Sequence, residues 1–199
     1  MSTLQQALKN GTIETLIDFL EDKNLPIEDV KAIYFAYHDN KAVVGQVAMN
    51  LSLRTSVYDR EQEYSDIMVE LLTNIADNPI DMGARWAVAK NPHTPVSVLK
   101  KLAKDPVNLV RALVATNPST PPEILENFFA DEKIVRDGLS GNPNTPIKLL
   151  QILAGDNDKM VRMRLAENSS VPDTILQELL QDNDENVVIA AQANLKERK

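Results

Sequence analysis

The side chains of this protein restrict its chemistry before any fold is considered. There is no cysteine, and only His38 and His93 offer imidazole. Disulfides, thiolate metal sites, iron–sulfur clusters and cysteine nucleophiles are thereby excluded. His38 has no second imidazole or carboxylate at a recurring ligand spacing, and both histidines read as incidental. The carboxylate pairs Glu21–Asp22, Glu28–Asp29 and Asp182 with Asp184 are the remaining groups for cation binding or acid–base work. None has the glycine spacing of a calcium loop, and solvated helix ends account for them. No nucleophile elbow, phosphate-cradling glycine loop, dinucleotide fingerprint or metalloprotease helix motif occurs. We therefore expect no enzyme activity, no metal and no cofactor.

The most regular charged feature is a column of arginines, Arg85, Arg111, Arg136 and Arg162. A guanidinium suits carboxylates, phosphates and backbone carbonyls equally. Two readings follow: a ladder bonding the turns of neighbouring units, with Asp105 six residues before Arg111 as Asp156 is before Arg162, or a surface gripping an acidic partner. The ladder is the preferred reading. Trp86, the only tryptophan, stands where later units have Ala112, Asp137 and Met163, so it is a candidate interface anchor. Tyr58 and Tyr64, in a segment that breaks the periodicity, are further candidates, because loops on rigid scaffolds carry function.

The elements that position these residues come from a repeat of about 26 residues. Asn91, Asn117, Asn142, Asn168 and Asn194 are spaced by 26, 25, 26 and 26 residues, and self-similarity at such a period marks a stacked array. Thr94-Pro95, Thr120-Pro121 and Thr145-Pro146 read as an N-cap followed by proline at the first helical position, with Glu123 completing a capping box in one unit. Leu99 with Leu102, Leu125 with Phe128, Leu150 with Leu153 and Leu176 with Leu179 give each helix an apolar stripe. A second, shorter helix carries Val110, Val114 and Ala115 or their equivalents, with partial 3₁₀ character. It stops at an Asn–Pro pair, since a residue before proline avoids the α region. Upstream the pattern weakens, with Asn24 and Asn50 as its column and an insertion near 51–65.

The expected organisation is one continuous all-α solenoid. Residues 1–83 form N-terminal capping helices and degenerate repeats, and residues 84–199 form regular repeats with a C-terminal cap. One helix pair cannot bury its own apolar face, so the units must stack.

The columns V-R-x-x-V-A-x-N-P-x-T-P-x-x-x-L-x-x-L-A-x-D resemble the leucine-rich repeat variant family, a bacterial relative in style of HEAT-type repeats. The match is strong over 84–194 and weak over 1–83. The resemblance implies a right-handed α-solenoid of about seven two-helix repeats and a role in protein interaction. Members of that family can carry a cysteine-ligated iron–sulfur cluster, which a chain without cysteine cannot hold.

Charge narrows the partner. Residues 1–84 hold 6 Lys+Arg against 14 Asp+Glu, whereas residues 85–199 hold 15 of each, so the whole net charge of −8 lies in the first part. Such a chain repels phosphate backbones, which argues against nucleic acid. No run of eighteen apolar residues occurs, and the first nine residues lack a basic region followed by an apolar stretch. A cytoplasmic protein without a membrane span is the expectation. The function expected is a non-catalytic scaffold or adaptor for an unidentified protein, monomeric or weakly dimeric. The alternatives are a HEAT-like enzyme or nucleic-acid protein of the DNA-glycosylase type, and an assembly chaperone.

Overall fold

The computed structural model describes residues 3–54 and 65–198, all of its regular structure helical. Among the described residues fourteen helices follow in order: α1 Thr3–Asn10, α2 Ile13–Glu21, α3 Ile27–Ala36, α4 Lys41–Arg54, α5 Asp66–Asp77, α6 Met82–Lys90, α7 Val96–Leu102, α8 Asn108–Thr116, α9 Pro122–Leu125, α10 Lys133–Gly141, α11 Ile147–Leu153, α12 Lys159–Glu167, α13 Asp173–Leu179 and α14 Glu185–Glu197. They fall into two compact units, Met1–Val98 and Leu99–Lys199.

In the first unit α2, α4 and α6 form one row, each packed on the next, while α3 packs on α4 and α5. In the second unit α8, α10, α12 and α14 form the row, and α11 and α13 lie against it. The apolar stripes meet between the helices. Leu16, Ile33, Val47, Leu71 and Ile75 are fully buried in the first unit, as are Leu99, Leu125, Val114, Leu139 and Leu165 in the second. Each such side chain contributes about 1.5–3 kcal/mol by leaving water. At Gly138 the row is tighter still, because a Cβ there would stand 2.8 Å from the Ala112 carbonyl oxygen and 2.7 Å from Thr116 Oγ1. Alanine would push α10 away from α8.

The helix ends differ from the expectation in two ways. Asn91, Asn117 and Asn142 do end their helices in extended backbone, with ψ of 124°, 124° and 126°, as a following proline demands. The threonines, however, are not N-caps. Thr94, Thr120 and Thr145 are buried and donate their hydroxyls back to the Val88, Val114 and Leu139 carbonyls at 2.6, 2.6 and 2.7 Å. The prolines themselves occupy the cap: Pro121 and Pro146 have no side-chain cap bond, and their carbonyls accept from Ile124 and Leu149 at 3.0 and 2.8 Å. The expected capping box of Glu123 with Thr120 does not form, because Pro121 is the cap and the Thr120 side chain is turned back to the Val114 carbonyl.

The 3₁₀ expectation is also corrected. α6, α8, α10 and α12 are nine-residue α-helices, with i→i−3 bonds at their ends, such as Val135 to Glu132 at 2.9 Å at the start of α10 and Asn142 to Leu139 at 3.2 Å at its finish. Row packing favours the regular helix there. The shortest helix belongs instead to the other set: α9 has four residues, followed by i→i−3 bonds from Asn127 and Phe128. No helix among the described residues is long and apolar enough to cross a membrane.

Candidate functional site

Most recurring polar side chains are spent on joining one turn to the next, along two ladders. The first runs through the asparagines at the C-terminal ends of the row helices. Asn142 Nδ2 donates to the carbonyls of Ala115 and Asn117 at 2.6 and 2.9 Å, Asn168 to Ser140 and Asn142 at 2.8 and 3.2 Å, and Asn194 to Ala166 and Asn168 at 2.7 and 3.0 Å. The Oδ1 atoms of Asn142 and Asn168 turn the chain by accepting an N–H two residues on, from Asn144 and Ser170 at 2.9 Å each. Both amide protons and the oxygen are thus engaged in a buried place, where an unpaired polar group costs about 1–3 kcal/mol.

The same ladder reaches the first unit with an altered register. Asn50 Nδ2 donates to Leu20 and Asp22 at 2.7 and 3.1 Å, and the Asp22 carboxylate accepts the Asn24 N–H at 2.9 Å. The column residue is therefore Asp22 and not Asn24, because an aspartate makes the same turn bond and the following asparagine is left exposed. Where the helix runs on past its asparagine, an arginine four residues later takes over. Arg54 Nε donates to Asn50 Oδ1 at 2.8 Å and Arg198 Nε to Asn194 Oδ1 at 2.9 Å. Arg54 also bonds the Leu25 carbonyl. The shared string Asn-Leu-x-x-Arg, at 50–54 and 194–198, is the signal that sequence reasoning passed over.

The second ladder runs along the opposite ends of the row helices and contains the arginine column. Arg111 makes a two-pronged bond to the Asp131 carboxylate, 2.8 Å from each prong, and a third bond to the Asp105 carbonyl at 2.9 Å. Arg136 grips Asp156 at 2.6 and 3.1 Å and the Asp131 carbonyl at 2.7 Å. Arg162 grips Asp182 at 2.6 and 2.9 Å and the Asp156 carbonyl at 2.7 Å. For Arg111 and Arg162 the expected side-chain partner in the sequence was the aspartate six residues before, Asp105 or Asp156. It supplies its backbone oxygen instead, and the carboxylate comes from 20 residues ahead, one turn further on.

These bonds set the electrostatics. The Arg111 and Arg162 guanidiniums hold the Asp131 and Asp182 carboxyls below the ordinary carboxylate range. At Asp156 burial works upward, yet Arg136 and the Asp158 N–H outweigh it and the group again lies low. Asp137, outside the ladder, is raised by burial despite Arg164 and Lys133 nearby.

In the first unit the ladder edge is built differently. Each arginine is the fourth residue of its helix, and the fourth residue of α4 is Val44, fully buried. Asn78 takes the place of the aspartate. Its Oδ1 accepts the Ile80 N–H at 3.1 Å and its Nδ2 donates directly to the His38 carbonyl at 2.7 Å, so one neutral bond replaces a guanidinium. Beside it opens a recess of about 570 Å³ lined by Tyr34, His38, Asp39, Asn74, Asp77, Asn78, Pro79 and Ile80.

Of the other residues proposed from sequence, Arg85 and Trp86 are half-buried on α6. Lys90 Nζ lies 5.7 Å from the Trp86 ring centre, and the indole N–H is buried without an acceptor among the described residues. Tyr58 and Tyr64 lie outside the described residues. Among the described residues no group of three or more His, Asp or Glu side chains is placed to hold a metal ion.

The geometry defines a class, the helical-repeat proteins bonded turn to turn. No family model matches the sequence, and no curated protein matches it. Among solved structures the chain is similar to a leucine-rich repeat variant with a novel repetitive structural motif. The two are 22% identical, the likeness covers 99% of this chain and 81% of that one, and the TM-score is 0.55. The resemblance read from the repeat columns therefore holds at the level of the fold.

Proposed function

We propose that this protein is a non-catalytic scaffold or adaptor that holds a partner protein, built as one right-handed array of about seven two-helix repeats. One observation carries the reading: the polar residues that recur bond the chain to itself, while the column that follows each arginine varies from repeat to repeat. That column contains Ala112, buried, Trp86, Asp137 and Met163, all half-buried, and Ile189, 53% exposed. A repeat that keeps its ladder fixed and varies its face suits recognition by shape and charge. The working location is the bacterial cytoplasm, and the working state a monomer or weak homodimer. The test is affinity capture from native lysate with mass spectrometry, scored against a charge-matched helical control. Enrichment of a defined protein supports the scaffold. A salt-sensitive nanomolar complex with duplex DNA, tighter than the roughly 10⁻⁴–10⁻⁶ M of non-specific binding, would replace it with the nucleic-acid reading.

A further inference from the structure

We infer that the outward face of the helix row in the first unit is a docking surface for an amphipathic helix of a partner protein, one that carries lysines or arginines beside its apolar stripe. The inference rests on the scaffold reading and names the chemistry of its partner. Large apolar side chains stand open on this face: Met49 is 49% exposed, Leu53 41% and Met82 45%. Met49 and Leu53 are one helical turn apart on α4 and so share a stripe. The stagger of the row places Trp86, half-buried on α6, beside Met49. Gly141, ninth in α10, meets Arg164, sixth in α12, and in the same way Met49 is ninth in α4 and Trp86 fifth in α6, two helices packed on each other. Methionines that repack and a tryptophan anchor are the side chains of helix-binding surfaces.

Charge selects the flank of that helix. Glu14, Asp18 and Glu21 are all exposed and spaced by four and three residues, so they form one stripe of α2. They are the second, sixth and ninth residues of their helix, the places that Ala42, Gln46 and Met49 hold on α4. The acidic stripe and the apolar one therefore face the same way on neighbouring helices of the row. None of the three carboxylates forms an ion pair among the described residues. On the far side of the apolar patch the charge is reversed, with Lys90 Nζ 5.7 Å from the Trp86 ring centre. A helix crossing the row thus needs apolar residues over Met49, Leu53 and Trp86 and basic residues over α2. Neighbouring axes lie about 8–10 Å apart and a helix rises about 1.5 Å per residue, so the basic residues fall about six or seven positions from the apolar anchor. That is two turns, on the same face of the partner. A phosphate backbone or an anionic bilayer would be repelled by the same stripe. A second copy is the poorer occupant, since its adjacent lysines, Lys100 and Lys101, sit on α7, which buries Leu99 and Leu102.

Trp86 is the only tryptophan, so its emission reports occupancy of the patch. The experiment is a fluorescence titration of the full chain with a tryptophan-free helical peptide that carries leucines one turn apart and lysines about seven residues further on. A second titration uses the same peptide with glutamates in place of the lysines. The lysine peptide should give a saturable shift of the emission maximum that weakens with added salt, and the glutamate peptide should bind at least about tenfold more weakly. Met49→Glu, at an exposed residue, should weaken the lysine peptide at least about tenfold, and Glu14→Gln/Asp18→Asn/Glu21→Gln several-fold. Ile147→Glu, at a residue 65% exposed on α11, should leave it unchanged. If Met49→Glu does not fold, Leu53→Gln takes its place. Equal binding of the two peptides, no saturable shift, or the same loss from Ile147→Glu as from Met49→Glu would overturn the site. A dimer of the wild type that Met49→Glu dissociates would also overturn it, by giving the face to a second copy. Capture from lysate by the wild type and by Met49→Glu separates this from the scaffold reading. A partner held equally by both overturns the site and leaves the scaffold standing. A wild type that holds no partner sinks the scaffold, while the peptide titration still decides the site.

Discussion

The two units solve the same problem, joining consecutive turns at one edge of a helix row, with different chemistry. In the second unit the joint is charged and two-pronged, with Arg162 and Asp182 side chains only 16% and 7% exposed. In the first it is a single neutral amide, Asn78 to the His38 carbonyl. The charged joints pair three aspartates, Asp131, Asp156 and Asp182, each with an arginine. The neutral joint itself uses no carboxylate. The lesson is that the same edge of a helix row can be closed with or without charge.

The largest expected effect tests what the units share. Leu72 and Leu125 hold matching places in their helices and are 1% and 0% exposed, so Leu72→Ala and Leu125→Ala should each cost about 2–5 kcal/mol through the cavity left behind. Denaturant melts giving a large loss at one and almost none at the other would end the idea of a common core. Next come the joints. Arg162→Ala strips the partner from a nearly buried carboxylate and a turn carbonyl and should cost about 1–3 kcal/mol, against about 0.5–1.5 for Asn78→Ala, where a neutral bond is lost. A melting curve unmoved by Arg162→Ala would instead return the arginine column to the list of binding surfaces.

Acid sharpens the same contrast. Because the Asp131 and Asp182 pKa values are lowered in the folded state, the unfolded chain binds their protons first. Their stabilisation is complete above the ordinary carboxylate pKa and is lost as pH falls through the lowered folded values. Melting temperature measured on acidification should therefore fall less steeply for Asp131→Asn/Asp182→Asn than for the wild type, from a lower starting point. Parallel curves would mean that the charged joints contribute nothing to acid sensitivity. The smallest effect concerns Thr120. Val171 occupies the corresponding buried place in the last repeat, so Thr120→Val should cost about 0.5 kcal/mol, the low end for one hydrogen bond. A loss as large as that at Leu125 would make the hydroxyl, and not the packing, the reason for the column.

The fold was legible because its period is written in residues with only one structural use. An asparagine followed by proline ends a helix and, if buried, must bond both ways, so Asn91, Asn117 and Asn142 announced the row. Roles that depend on direction were not legible. Thr120 before Pro121 has the spacing of a cap, and only the buried Val114 carbonyl behind it shows where the hydroxyl points. The carboxylate partners of Arg111 and Arg162 were misplaced for a similar reason, since Asp105 and Asp156 offer these arginines a backbone oxygen, which no spacing of side chains reveals. The recess beside Asn78 escaped notice because its lining comes from residues 34–39 and 74–80, far apart in the sequence, and α3 packs on α5.

Within the second unit the two ladders also determine how it can yield to force. Asp131 gives its carboxylate to Arg111 and its carbonyl to Arg136, and Asp156 is shared in the same way between Arg136 and Arg162. Each aspartate is thus a pin common to two links, as in a roller chain. With this chain at one end of the row helices and the asparagines at the other, α8, α10, α12 and α14 resist being drawn apart. The helices outside the row have fewer such ties, chiefly Gln151 to Glu178 at 2.7 Å. The soft deformation is therefore a fan-like spreading of α9, α11 and α13 about the row, which changes curvature without breaking a rung.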